Sequence, residues 1–464
     1  MQGPPGTGKT TVIAEIIQQL TSKGKKILVA GQNHVAVDNV LEKISKLHHL
    51  NLLRVGNPDR VDRELVRYSI DNLIDDYKSD FYTFQNNQVL LSKEYLSFRL
   101  AKLSREHIYK KYTDLVNDIS RSYVKLENVY REKHFVLREG LESMTDSEIE
   151  DTIQTLQQWI ISIKDEYEIL LKPVIYNSVD VVFATCIGIR TDKVFEDASF
   201  NFDTVIIDEA GKANIAETLA AIELGEKIIL VGDQKQLPPY VDSSQIDNRN
   251  PSSFNRTSVG SNYLESEINH ALKTSFFEFI IDRINAGSFP KENLVMLNYQ
   301  HRMHPNIGKF VSKSFYNNEV LMGERTYLNK LNLPAPLDQE VIFFDTSNSD
   351  KPYEQKDNIS YRNDTEAETI SEIILPRIFE NNIASSDIAI ITPYKSQVNN
   401  IQKYINRSSL TTRKNIDIAS LDSFQGKEYD IIIFSFTRSS LNQKVGFLDN
   451  AQRLNVAFSR AKKN

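Results

Sequence analysis

The residues Gly3-Pro4-Pro5-Gly6-Thr7-Gly8-Lys9-Thr10 follow the spacing G-x-x-x-x-G-K-[ST] of a phosphate-binding loop. Glycines at these positions let backbone N–H groups curl around phosphate oxygens, aided by the N-terminus of the helix that follows. Lys9 is suited to neutralising β and γ phosphates, and the Thr10 hydroxyl to ligating Mg²⁺. A purely structural turn is the alternative for such a loop taken alone. Further on, Val205-Ile206-Ile207-Asp208-Glu209-Ala210 is an apolar run ending in two carboxylates. An acid at the tip of such a strand reaches the metal of a nucleotide site, which gives Asp208 that role. Glu209 is then positioned to orient and deprotonate an attacking water. A third apolar run, Ile229-Leu230-Val231, leads into Gly232-Asp233-Gln234-Lys235-Gln236-Leu237-Pro238-Pro239, where an amide at the tip can sense a γ-phosphate. On its own that segment also reads as a turn.

These groups need a scaffold, and the apolar patterning supplies one. Residues 1–56 read as loop, helix (Val12 to Leu20) and short strand (Ile27 to Ala30), the grammar of a parallel α/β sheet. The same grammar returns from Val174, with strand-like runs at Val179–Ala184, Thr204–Ile207, Ile228–Val231, Val341–Phe344, Ile388–Ile391 and Ile431–Phe436. Continuous apolar runs of this kind indicate parallel strands covered on both faces. Between Pro58 and Pro173 there is no proline, and Gly140 is the only glycine. Apolar residues there recur at steps of three and four, as in Ile149, Ile153, Leu156, Ile160, Ile163, Tyr167 and Leu170. Ile108, Tyr112, Leu115, Ile119, Leu126 and Val129 do the same, and Tyr77, Phe81, Phe84, Leu91, Tyr95 and Phe98 nearly so. This spacing predicts long helices packed side by side, with Gly140 and Thr145-Asp146-Ser147 marking a turn and a fresh cap. The expectation is an inserted antiparallel helical, coiled-coil arm over residues 57–172. It is either a rigid spacer or a grip on nucleic acid or a protein partner. Asp242 to Asn262, rich in Ser, Asn and Asp, reads as a loop.

Composition narrows the setting without naming the chemistry. The 464 residues allow two or three domains, and 40% hydrophobic with 25% charged residues is ordinary for a globular chain. No run of about 18 apolar residues is present, so no membrane partner is expected. The start, Met1-Gln2-Gly3, has no basic and apolar leader, and Cys186 has no second cysteine to pair with. Both favour the cytoplasm, or the nucleus in a eukaryote. Net charge is −7, so a nucleic acid would be held by a local basic groove, not by global attraction.

The three chemical segments, in this order, resemble the helicases of superfamily 1, in the branch of the nonsense-mediated decay helicase and senataxin. The likeness extends through Gln32-Asn33-His34-Val35-Ala36-Val37-Asp38-Asn39, Ala184-Thr185-Cys186-Ile187-Gly188 and Tyr299-Gln300-His301-Arg302-Met303-His304-Pro305. It continues in Ile391-Thr392-Pro393-Tyr394, Asp422-Ser423-Phe424-Gln425-Gly426-Lys427-Glu428 and the segment from Arg453 to Lys462. The resemblance implies an ATP hydrolase of two RecA-like P-loop domains, residues 1–56 with 173–290 and residues 291–464. It implies ATP and Mg²⁺ as cofactors, with single-stranded DNA or RNA as partner. Gly3, Pro4, Pro5, Gly6, Thr7, Gly8, Lys9, Thr10 and Thr11 would bind ATP, with His301 on adenine and Glu428 on the ribose. Lys9, Asp208, Glu209, Gln236, Arg302 and Arg460 would be catalytic, the two arginines reaching across the cleft. Asn33, Thr185, Thr392, Pro393, Tyr394, Ser423 and Thr437 would hold a strand by its backbone and base faces, whatever its sequence. By the same resemblance the motion runs 5′ to 3′. Cys186 takes a packing role.

Three departures temper this. His301 stands where the branch usually has tyrosine, giving a smaller stacking face. The chain starts two residues before the phosphate loop, without the strand that feeds the loop or the upstream glutamine and β-barrel of the branch. It stops just after the last motif, at Asn464, where another strand is expected. A fragment of low activity, or a chain needing a partner chain, is therefore expected beside the full translocase. The rival readings are an ATP-gated clamp that does not unwind and a switch ATPase acting through the helical arm.

Overall fold

The computed structural model describes residues 1–47, 50–121, 127–162, 167–192, 195, 201–239, 274–331, 333–408, 416–424, 427–440 and 445–463. The stretch Asp242–Asn262 and the pair Gln425-Gly426 lie outside them. Backbone contacts divide the chain into a unit of residues 1–48 with 183–464, and a second unit of residues 49–182.

Among the described residues the first unit holds two larger parallel sheets besides short two-stranded pairs. Helix α1 (Lys9–Thr21) follows the phosphate loop and leads to β1 (Ile27–Gly31) and then helix α2 (His34–Ile44). All five residues of β1 are buried, as expected of a strand covered on both faces. Its parallel partner in the same sheet is Phe202–Asp208, in register from Ile27 opposite Thr204 to Gly31 opposite Asp208. Phe202–Asp208 pairs in turn with Gly225–Leu230, also in parallel. The sequence led us to expect Ile228–Val231 to be buried on both faces, but Glu226 to Ile228 are exposed. Gln2 lies beyond that strand, bridging Gly232 and Met296 in parallel fashion, and Gly3 N–H donates to the Gly232 carbonyl (2.9 Å). The phosphate loop thus starts from inside the ladder.

The second sheet of this unit has Ile388–Thr392 at its centre, flanked in parallel by Asp417–Ser420 and Ile431–Phe434. Period-2 alternation divides its central strand between two cores. Ile388 and Ile390 pack with Leu375, Ile378, Ile401 and Ile405, whereas Ala389 and Ile391 pack with Phe424, Val456 and Ala457. The expected strand at Val341–Phe344 does not form. Ile342 and Phe344 do turn toward the first of these cores, while Val341 and Phe343 stay exposed. Burial on both faces is therefore not found, and no strand among the described residues takes up the segment's hydrogen bonds.

The second unit contains the strand β2 (Leu52–Arg54) and the helices α3 (Ile70–Leu100), α4 (Arg105–Ser120), α5 (Glu127–Ser143), α6 (Asp146–Ser162) and α7 (Tyr167–Ser178). Its core draws Leu91, Tyr95, Tyr112, Val116, Leu141, Ile149 and Ile153 from four of those helices. Ser104 caps α4 through the His107 N–H. Thr145 and Glu148 exchange bonds ahead of α6, a reciprocal cap that satisfies two otherwise orphaned donors. Gly140, expected at the turn, lies inside α5 instead, because the cap at Thr145 sets the turn. Pro173 likewise sits within α7, so strand structure resumes at β3 (Val181–Thr185), later than Val174.

Candidate active site

The phosphate loop is built by its glycines. Gly6 has φ 74° and Gly8 φ 81°, left-handed values that cost a side chain dearly. Gly8 sits at the N-cap of α1, so the first free N–H groups of that helix face the loop's interior. Thr7 closes the turn by donating its hydroxyl to the Pro4 carbonyl (2.8 Å). The Lys9 ammonium donates to the Gly3 carbonyl (2.9 Å), and the lysine stem lies directly over Gly3. Lys9 is therefore stretched across the cradle it would neutralise.

Strand Phe202–Asp208 delivers the carboxylates. Glu209 follows at φ 53°, left-handed for a residue with a Cβ, a strain of a kind that gathers at functional sites. Burial raises the Asp208 pKa, and the neighbouring Glu209 charge reinforces it. For Glu209 burial pushes the same way, yet the Lys212 and Lys9 ammonium groups outweigh it and hold the carboxyl low. Lys212, itself buried, lies 3.1 Å from the Glu209 carboxylate. Sequence reading missed this lysine. Its only signal is its place three residues beyond Glu209.

The facing segments carry the arginines. His301 N–H donates to the Gly6 carbonyl (2.8 Å), and a Cβ at Gly6 would lie 2.6 Å from Arg302 Cβ. Arg302 is thus packed on the phosphate loop. Its guanidinium pairs with the Glu428 carboxylate and donates to the Ser459 carbonyl (3.1 Å). Arg460 is buried, whereas Arg302 is only partly so; Arg460 donates to the Gln236 amide oxygen (3.3 Å). Burial first, and then the Arg302 charge, push the Arg460 pKa down to about 10. The Nε atoms of Arg302 and Arg460 are buried without a hydrogen-bond partner among the described residues. Two close guanidinium groups with unspent donors fit an anion, since a buried unpaired donor is costly. Buried Asp208 and half-buried Glu209, with the Thr10 hydroxyl on the adjoining loop, fit a divalent cation held by one carboxylate and phosphate oxygens.

Gln236 and Asp233 complete the floor. Asp233, buried and with its pKa raised by burial, accepts from the Gln236 amide (2.8 Å), the Lys235 N–H (3.0 Å) and the Tyr316 hydroxyl (2.5 Å). His301 is exposed beside Gly323. Glu428 is half-buried and engaged with Arg302, with Lys462 3.7 Å from its other oxygen.

The expected strand contacts behave differently. Thr392 and Thr437 are fully buried and share a hydroxyl–hydroxyl bond (2.8 Å). Tyr394 is buried too, edge-on to Tyr361 at 5.5 Å, and its hydroxyl accepts from Arg438 (3.4 Å). These three side chains are spent on internal partners and offer no face for a base to stack on. Asn33 caps α2 through the Ala36 N–H (2.9 Å), and Thr185 accepts from the Gly188 N–H (2.9 Å). Pro393 is half-buried between Thr392 and Tyr394, whereas Ser423 is exposed. Cys186 is buried, its thiol pushed up to about 12 by burial, as a packing residue should be.

A family model described as an AAA domain, AAA_11, matches residues 1–244, and a second of the same description, AAA_12, matches residues 272–464. This chain belongs to that family. Within it the chain is a member of superfamily 1, in the branch of the nonsense-mediated decay helicase and senataxin. An uncharacterized ATP-dependent helicase of Methanocaldococcus jannaschii is 28% identical over 479 residues, covering 100% of this chain and 64% of that protein. The DNA polymerase alpha-associated DNA helicase A of Saccharomyces cerevisiae is 29% identical over 492 residues, covering 100% and 61%. Regulator of nonsense transcripts 1 of Dictyostelium discoideum is 28% identical over 473 residues, covering 100% and 29%. The AAA-domain chain therefore spans less than two thirds of each of these relatives.

Proposed function

We propose that this AAA-domain chain hydrolyses ATP in the cleft around Lys9 and uses the reaction to move along single-stranded DNA or RNA, 5′ to 3′, separating duplex that it meets. The observation that carries the proposal is the convergence of two guanidinium groups, one buried and one partly buried, each with an unspent, buried Nε, on the glycine loop and on Gln236. The helicase relatives point the same way. In this reading the domains are two RecA-like halves, 1–56 with 173–290 and 291–464. The helices of 57–172 form an inserted antiparallel arm, available to a protein partner.

Each residue's work follows from its surroundings. Lys9 exchanges the Gly3 carbonyl for the triphosphate, trading a neutral acceptor for a charged one. Thr10 and Asp208 would hold Mg²⁺, which supplies charge neutralisation at the phosphates. Glu209, kept ionised by Lys212, takes the proton of the attacking water. Arg302 leaves Glu428 for the γ oxygens and frees that carboxylate for the ribose. Arg460 meets the same charge from Gln236's side. Hydrolysis removes the anion that both guanidinium groups shared, so the cleft loosens and the grip on the strand alternates.

The test is ATP turnover with and without single-stranded DNA and RNA, wild type beside Glu209→Gln. Stimulation by at least one polymer is expected, with turnover lowered by roughly 10²–10⁴ in the variant. Stimulation by neither would remove translocation. The internal bonding of Thr392, Tyr394 and Thr437 favours a second reading, an ATP-gated clamp that binds a strand without unwinding. Strand displacement assayed beside turnover separates the two.

A further inference from the structure

Tyr316 lies at the end of the helix Pro305–Phe315, which begins three residues after Arg302. Its ring is buried, and its hydroxyl donates its one proton to Asp233 Oδ2 (2.5 Å). The same hydroxyl accepts from Asn455 Nδ2 (2.7 Å). Asn455 belongs to the helix Ala451–Phe458, which leads directly to Arg460, and it also donates to the Lys235 carbonyl (2.7 Å). Gln452 of that helix donates to the Gln234 carbonyl (2.7 Å). The short segment Asp233–Gln236 is therefore held from both arginine-bearing segments, and one phenol joins the three.

The chemistry at Gln236 gives this arrangement a purpose. A carboxamide has two ends of nearly equal shape, and only its partners decide which end donates. Asp233 can only accept, so it fixes Gln236 Nε2 as the donor end, while Arg460 can only donate and claims the oxygen. Asp233 in turn is a buried carboxylate that makes no ion pair among the described residues; apart from the more distant Lys9 charge it relies on its three donors. Removing the strongest neutral donor frees that carboxylate to turn, and the Gln236 amide turns with it.

We infer that Tyr316 is a positioning residue for ATP hydrolysis. Its hydroxyl, held between Asp233 and Asn455, sets the Gln236 amide and ties that setting to the segments carrying Arg302 and Arg460. The inference rests on the hydrolytic function proposed above. Tyr316 touches no phosphate-loop residue through this hydroxyl, so its loss should spare nucleotide binding and slow the chemical step.

The experiment compares kcat, KM for ATP and the affinity of a fluorescent non-hydrolysable ATP analogue in wild type, Tyr316→Phe, Asp233→Asn and the double variant. Tyr316→Phe keeps the ring, and a hydrogen bond to a charged group predicts a kcat roughly ten- to a hundredfold lower. KM and analogue affinity should stay within about twofold. The double variant should be no slower than Asp233→Asn, because the phenol acts through that carboxylate. Asn455→Ser, which shortens the donor without disturbing the ring, should lower kcat in the same direction by less. A Tyr316→Phe enzyme with wild-type kcat, equal losses in kcat and affinity, or additive effects in the double variant would each overturn the inference. Wild type without any ATP turnover would instead bring down the hydrolytic function itself.

Discussion

The cleft around Lys9 and the strand ends around Thr392 are both buried, polar and rich in residues singled out from sequence, yet they are built on opposite principles. At the strand ends the hydrogen bonds close on themselves. Thr392 bonds Thr437, while the Gln397 carboxamide accepts from the Asn363 N–H and donates to the Asn363 carbonyl. Glu366 accepts from Ser435 (2.6 Å) and from the Thr437 N–H (2.9 Å). In the cleft the bonds do not close. Two guanidinium Nε atoms have no acceptor among the described residues, a lysine rests on a carbonyl, and a buried carboxylate adjoins a half-buried one. A buried network that satisfies itself fixes a fold, whereas one left open is waiting for a ligand.

That contrast can be broken most forcefully at Arg460. Replacing it by alanine removes a donor that only a phosphoryl group would use fully, and kcat for ATP should drop by roughly 10³ or more. Thermal stability should change little by comparison. A variant retaining more than a tenth of wild-type turnover would mean that the open donors serve structure after all.

At the strand ends the expected order of effects is reversed. Thr392→Val leaves the Thr437 hydroxyl short of a partner and should cost about 1–2 kcal/mol of stability. Affinity for a single strand should stay within about twofold, measured by fluorescence anisotropy at one fixed salt concentration. A large loss of strand affinity in a fully folded Thr392→Val protein would restore the direct contact that burial now argues against.

The smallest effect belongs to Glu366. Burial raises its pKa, outweighing the two hydrogen bonds that favour the carboxylate. The sign follows: the folded chain resists ionisation, so stability is fullest below the unfolded pKa and declines as pH rises through the folded one. Glu366→Gln keeps an acceptor for Ser435 and Thr437 and removes that decline. Its melting temperature relative to wild type should be higher at pH 8 than at pH 4. The opposite trend would mean that the carboxylate is stabilised there, making the strand ends electrostatically like the cleft.

Much of the cleft was legible because its chemistry is written in contiguous stretches. A loop that must wrap phosphates needs its glycines and lysine at fixed spacing, and a carboxylate must end a buried strand, so Gly3–Thr10 and Asp208-Glu209 stand out unaided. The strand around Ile388–Ile391 was legible from its unbroken apolar run, and the helical seam through Tyr95, Tyr112 and Ile149 from its period. Local pattern failed where a partner had to be supplied from afar. The apolar run Val341–Phe344 finds no strand to pair with among the described residues, and Gly140 lies in a helix whose end is set by the cap at Thr145.

What the sequence alone determined, then, were the local devices: the phosphate cradle, the acidic strand tip, the helical and strand periods. Only the tertiary structure decided that Lys212 steadies Glu209, that Tyr316 bridges Asp233 and Asn455, and that Thr392, Tyr394 and Thr437 face inward. The physical reason is that burial and hydrogen-bond closure are properties of pairs far apart in the chain. Tyr316 and Asp233 are 83 residues apart, and Arg460 and Gln236 are 224 apart, separations over which no local pattern carries information.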